Sequence, residues 1–170
     1  EDLSELFRAS LQRAGTFVRI SEELDLCRRS LHIESLRLGE RLQVQWQVES
    51  APTEAEMPLL ILQPLLENAV YHGIQPLPEG GTIRVEIYFT AGTMIARITN
   101  PVMQEGLARL IDGDGSPGRP RPPTKGNQIA IDNIRQRLAM IYDESAKLIT
   151  TQDSDQFLAE LICPTVPKII

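Results

Sequence analysis

Glu67, Asn68, Tyr71 and His72 stand three to four residues apart, so on a helix they share one face. The apolar run Leu59 to Leu66 precedes them, too short to cross a membrane and readable as a buried helix. A carboxylate, a carboxamide, a phenol and an imidazole at the end of such a helix are costly to bury without partners. Leucine or alanine would serve stability better there. The pattern points to one wall of a ligand site. A simpler reading has Asn68 and His72 closing the helix before Gly73. That reading leaves Glu67 unexplained, because an acid near a helix C-terminus opposes the dipole.

The elements that must carry this cluster follow from patterning. Residues 3–14 read as a short helix stopped by Gly15. Ser21, followed by Glu22 and Glu23, reads as the N-cap of a second helix. Leu24, Cys27, Leu31 and Leu38 form its packing stripe, and Gly39 ends it. The segment 42–49 alternates strictly, with Leu42, Val44, Trp46 and Val48 on one face, as in a half-buried strand. Segments 82–89 and 93–100 flank Ala91-Gly92 and predict a hairpin. A helix over 128–142 would bury Ile131, Ile134, Leu138 and Ile141, and Asp153-Ser154-Asp155 would turn a last hairpin. Short turns between strands, with few helices, predict an α+β two-layer sandwich: a mixed, mostly antiparallel sheet covered by helices on one face. Residues 101–127 break this regularity with prolines and glycines, and a loop of that length is usually functional or disordered.

The chain has 170 residues, 42% of them hydrophobic and 24% charged, enough for one domain plus an appendage. A net charge of -6 argues against a nucleic-acid partner, which needs a basic face. Cys27 and Cys163 lack ligand spacing and read as reduced packing residues. The absence of a long apolar stretch predicts a soluble, cytoplasmic portion.

The string PLLILQPLLENAVYHGI (58–74) resembles the asparagine motif of LytS/AlgZ-type sensor histidine kinases, in the Bergerat-fold ATPase superfamily. SEELDLCRRSLHIESLRLGERL (21–42) resembles that family's link from the phosphoacceptor helix, and GNQIAIDNIRQRL (126–138) the exit of its ATP lid. The resemblance covers nearly the whole chain. It implies a division into a linking segment, 1–40, and an ATP-binding catalytic domain, 41–170, with the lid at 101–127. It further implies that Asn68 binds the Mg²⁺ bridging the ATP phosphates and that Glu67 assists proton removal. His72 would lie against adenine, with Gly73, Thr99, Asn100, Gly126, Ile129 and Ala130 completing the nucleotide site. Arg119, Arg121 and Lys125 in the lid would suit the triphosphate.

Two departures stand out. Relatives carry an aspartate that accepts from the adenine amino group. Here Thr99 is expected at that place, in Ile98-Thr99-Asn100-Pro101, and a neutral hydroxyl accepts more weakly. Gln128 and Ala130 occupy later glycine positions of the lid. The string Asp112-Gly113-Asp114-Gly115 reads as a turn. His32, lacking the phosphoacceptor signature, reads as a surface or packing residue. The implied activity is transfer of the ATP γ-phosphate to a histidine upstream of this chain, with a second copy of the chain and a response regulator as partners. The full-length protein would then sit in the bacterial inner membrane. The alternatives are a degenerate domain that regulates a response regulator by binding alone, motivated by Thr99, Gln128 and Ala130, and an anti-sigma-type serine kinase of the same fold.

Overall fold

The computed structural model describes residues 17–52, 55–103 and 125–165, with the side chains of 125–127 left aside. The expected helix over 3–14, most of the 101–127 loop with Arg119 and Arg121, and the Asp112–Gly115 string lie outside the described residues.

Five strands form one sheet in the order β2-β4-β5-β7-β6. They are β2 (Leu42–Val48), β4 (Gly81–Thr90), β5 (Thr93–Pro101), β6 (Lys147–Gln152) and β7 (Gln156–Pro164). β2 runs parallel to β4, and every other pairing is antiparallel. The predicted mixed sheet and both hairpins are present. Ala91 and Gly92 both take positive φ (46° and 75°), the requirement of the type I′ turn that matches strand twist. In the last hairpin Asp153 Oδ1 accepts from the amides of Asp155 and Gln156, each at 2.8 Å.

Alternation decides which face is covered. Ile83, Val85 and Ile87 of β4, Met94, Ala96 and Ile98 of β5, and Leu161 and Cys163 of β7 are buried in one core. Arg84 and Arg97 point the other way and are exposed; Arg97 pairs with Glu160 across the strands and lies 5.5 Å from the centroid of the Tyr88 ring. Three helices cover the core face: α1 (Ile20–Leu38), α2 (Leu62–Asn68) and α3 (Lys125–Tyr142). The α1 stripe behaves as predicted, with Leu24, Cys27 and Leu31 buried and Leu38 packed at the edge. Gly39, at φ 60°, closes it by donating to Ser35 O. The helix begins two residues early, at Ile20, and the Arg19 amide donates to Glu22 Oε2, so Ser21 is not its cap. Arg28 lies over the ring of Trp46, tying α1 to β2. Ile131, Ile134 and Leu138 anchor α3, and Arg135 fixes it to β6 through Leu148 O (3.2 Å) and Thr150 Oγ1 (2.9 Å).

Two features are absent from the sequence reading. A small antiparallel ribbon pairs β1 (Phe17–Arg19) with β3 (Glu56–Pro58). Three-residue strands carry too little alternation to register. Second, α2 does not end at Asn68 but continues as a π-helix through Ala69–Ile74. A wider helical turn at this place often marks a functional site. Among the described residues no helix is long and apolar enough to cross a membrane.

Candidate functional site

The helix 62–74 carries the chemistry forward from its apolar face. Leu62, Leu65, Leu66, Val70 and Ile74 are buried in the core, so the intervening residues turn towards the rim. There a cavity of about 470 Å³ opens, lined by Glu34, Pro64, Glu67, Asn68, Val70, Tyr71, His72 and Ala130. That size falls in the range of small-ligand sites.

Asn68 is the buried member of the predicted cluster, 7% exposed. Among the described residues no hydrogen bond engages its carboxamide. Its amide lines the cavity and is available to a ligand that enters it. Neither Asn68 nor His72 closes the helix, because the chain stays helical through both to Ile74. Glu67 stays exposed, its carboxylate accepting from Gln63 Nε2 at 2.8 Å. Tyr71 is 60% exposed and meets the His72 ring edge-on at 4.9 Å between centroids. Desolvation lowers the His72 pKa below the usual histidine range. The folded chain therefore favours a neutral imidazole, and His72 protonation opposes folding as the pH falls through and below that range.

The cavity has two carboxylates, Glu34 and Glu67, and among the described lining residues no lysine or arginine. Glu34 is ion-paired with Arg37 on its own helix, so Glu67 is the carboxylate a bare polyanion would meet, with no positive side chain among the described lining residues to offset it. A divalent cation carried with the phosphates would reverse that, and Asn68 supplies the neutral oxygen it needs. Among the described residues no group of three His, Cys, Asp or Glu side chains could hold a metal by itself, which agrees with an ion ligated mainly by phosphate and water. The donor set fits Mg²⁺.

The other expected residues are placed as follows. Gly73 is buried against Asn100: a Cβ on it would lie 2.3 Å from Asn100 Nδ2. Its missing side chain lets the helix rest on the end of β5, an approach the glycine alone permits. Asn100 is 3% exposed, and its Nδ2 donates to Pro101 O at 2.8 Å. Thr99 is not brought to this cavity. Met94, Ala96, Ile98 and Asn100 share the core-facing parity of β5, so Thr99 points to the uncovered face. There it lines, together with Asn100, Thr82, Arg84, Asp155 and Gln156, a separate cavity of about 260 Å³, and neither Thr99 nor Asn100 lines the cavity at Asn68. Ala130 lines the main cavity and Ile129 beside it is 59% exposed. Gly126 falls within α3, and its surroundings, like the Lys125 side chain, lie outside the described residues. His32 is exposed, at the surface. Cys27 and Cys163 are free and buried; burial raises the Cys163 thiol to about 11, so both are inert packing groups.

Glu34 is the lining residue the sequence reading missed. It sits three residues beyond Leu31, where the Leu24–Cys27–Leu31 stripe turns towards the rim, so periodicity could have pointed to it.

No family model matches the chain. It is 28% identical to the sensor histidine kinase YesM of Bacillus subtilis over 85% of this chain and 23% of that protein. It is 27% identical to the sensor protein LytS of Oceanobacillus iheyensis over 95% of this chain and 28% of that protein. The chain thus spans about a quarter of the length of these relatives. Among solved structures, the catalytic domain of histidine kinase ThkA matches with a TM-score of 0.61, at 14% identity, over 90% of this chain and 97% of that one. ThkA in complex with the response regulator protein TrrA matches at 0.55, at 13% identity, over 99% of this chain and 48% of that one.

Proposed function

We infer that this chain, a homologue of sensor histidine kinases including LytS and built on the fold of histidine kinase catalytic domains, is the ATP-binding portion of such a kinase. It would bind Mg-ATP and pass the γ-phosphate to a histidine upstream of residue 1. The observation that carries this is the carboxamide of Asn68, without a hydrogen-bond partner among the described residues and reached from a cavity that also holds two carboxylates.

In this reading Asn68 would hold Mg²⁺, which when bound would supply charge neutralisation to the phosphates. Phosphoryl transfer is largely a matter of positioning and electrostatics, and the residues divide that work. Glu67, exposed at the rim and steadied by Gln63, is placed to take a proton from the acceptor. Neutral His72 offers a flat, weakly polar surface for adenine. Of the strand-end pair, Asn100 faces the helix layer and Thr99 does not. Asn100 would therefore contribute the base-side contact, with Gly73 admitting it, while Ala130 lines the cavity from α3 and Ile129 and Gly126 would join it on the nucleotide side. Residues 1–40 would link this portion to the acceptor helix. A second copy of the chain, a cognate response regulator and attachment of the full-length protein to the bacterial inner membrane complete the proposal.

A second reading, binding without catalysis, is favoured by one observation: neither Thr99 nor Asn100 at the strand end offers a carboxylate, and neither lines the cavity at Asn68. Calorimetry of ATP binding with and without Mg²⁺, then phosphorylation of an upstream histidine helix supplied in trans, separates the two. Mg²⁺-dependent binding with transfer supports the kinase. Binding without transfer supports the regulatory domain, and no nucleotide binding refutes both.

A further inference from the structure

Glu23 is charged and completely buried, at 0% exposure. Its carboxylate accepts from a run of successive amides: Leu60 N on Oε2 at 2.9 Å, and Ile61, Leu62 and Gln63 N on Oε1 at 2.9, 3.0 and 3.4 Å. These are the unpaired amides at the start of the helix that carries Glu67 and Asn68. A serine or aspartate at position 61 could cap that helix locally, yet Ile61 stands there and makes no side-chain cap. The cap is supplied instead by α1, from a residue 38 positions earlier in the chain.

The arrangement continues at the far end. Arg41, in the turn that follows α1, donates to Gln75 O (3.1 Å) and Leu77 O (2.7 Å), just beyond the π-helix. A carboxylate at the amino end and a guanidinium at the carboxyl end both suit the helix dipole, and both come from α1 or its extension. Leu60 meanwhile holds φ 59°, a conformation that side-chain-bearing residues resist. Its N–H goes to Glu23 and its carbonyl accepts from Arg137 Nη1 at 2.6 Å. The start of the site helix is thus fixed by six side-chain-to-backbone hydrogen bonds, four on Glu23 and two from Arg137, whose Nη2 also donates to Leu59 O.

We propose that Glu23 is a positioning residue for the Mg-ATP site: by gripping the first amides of helix 62–74 it sets where Asn68 and Glu67 stand along the helix axis. α1 and the site helix then move as one body. The proposal rests on the nucleotide-binding reading above and adds the element that holds the metal ligand in register. One helical turn is about 5.4 Å, so an axial shift of α1 much smaller than a turn would either carry Asn68 with it or break the grip.

The test compares ATP affinity, with and without Mg²⁺, in the unmodified chain, Glu23→Asp, Glu23→Gln and Leu24→Ala. Glu23→Asp withdraws the carboxylate by one methylene. Glu23→Gln keeps the length but turns an N–H₂ towards the Leu60 amide. Leu24→Ala loosens α1 packing without touching the carboxylate. Both Glu23 variants are expected to bind Mg-free ATP within about twofold of the unmodified chain while losing about tenfold or more of the Mg²⁺ enhancement, the scale on which supporting residues act at metal sites. Leu24→Ala should keep the enhancement. An enhancement retained in a folded Glu23 variant, or lost equally in Leu24→Ala, reduces Glu23 to packing and overturns the proposal. Should neither Glu23 variant fold, amide exchange in the unmodified chain decides: Mg-ATP must slow exchange at Ile61 and Leu62, and no change there overturns it. Failure of the unmodified chain to bind Mg-ATP at all refutes the functional reading itself, a result separable from any variant's behaviour.

Discussion

Asn68 differs from an ordinary buried asparagine in what it lacks. A structural carboxamide satisfies its neighbours, and truncating it leaves them unpaired at about 1–3 kcal/mol. Asn68 has no such neighbours among the described residues, so Asn68→Ala should change the melting temperature little. It should nonetheless remove about tenfold or more of the Mg²⁺-dependent ATP affinity, which is about 1.4 kcal/mol. Calorimetry with and without Mg²⁺ checks this, and equal Mg²⁺ enhancement in both proteins would remove Asn68 from the metal site. Thr99 invites the opposite expectation. It lies on the uncovered face, in a different cavity, so Thr99→Asp should leave the ratio of ATP to GTP affinity unchanged. A severalfold shift towards ATP would put adenine on that face and displace Asn100 from its proposed role.

Among the elements, two turns rest on glycines whose demands differ in kind: Gly80, between the site helix and β4, and Gly92, between β4 and β5. Gly80 has φ 72° and stands where a Cβ would lie 2.0 Å from the Arg41 backbone oxygen. Gly92 has φ 75° with nothing within 4 Å of such a Cβ. Alanine at Gly92 therefore meets only the left-handed backbone penalty, about 1–2 kcal/mol. Alanine at Gly80 meets that penalty and a backbone collision that must move the turn bearing Arg41. Chemical denaturation should rank Gly80→Ala well below Gly92→Ala in stability. Equal losses would mean that the 39–41 turn yields easily and that Arg41 is a weak anchor.

For the molecule as a whole, the question is whether α1 is an appendage or part of the body. Ile20, Leu24, Cys27 and Leu31 belong to the same core as the sheet, and Arg28 stacks on Trp46 of β2. Unfolding should then be one cooperative transition. Trp46 fluorescence, which senses the α1–sheet contact, and far-ultraviolet circular dichroism should give superimposable curves in urea. An earlier fluorescence transition would show α1 leaving first and would make the linking segment a separate unit.

Much of this was legible in the residues themselves. Strict alternation in 42–48, the Ala91-Gly92 turn and the 24–27–31 stripe each state a local period that only one backbone satisfies, so the α+β class and the helix-covered sheet follow from sequence. The Glu67–His72 cluster was visible because polar side chains after an apolar run oppose the hydrophobic pattern. The β1–β3 ribbon was not visible, since three residues hold no period and the partner lies far along the chain. Nor was the π-helical continuation, which depends on Gly73 resting against Asn100. Only the tertiary structure decided that Asn100 and not Thr99 faces the helices, because one residue of register reverses a strand's faces. It alone also showed that Glu23, which in sequence reads as an ordinary acid in its own helix's first turn, spends its charge on the amides of another. Local periods are written in neighbouring residues, but a buried contact between distant ones exists only once the chain has closed around it.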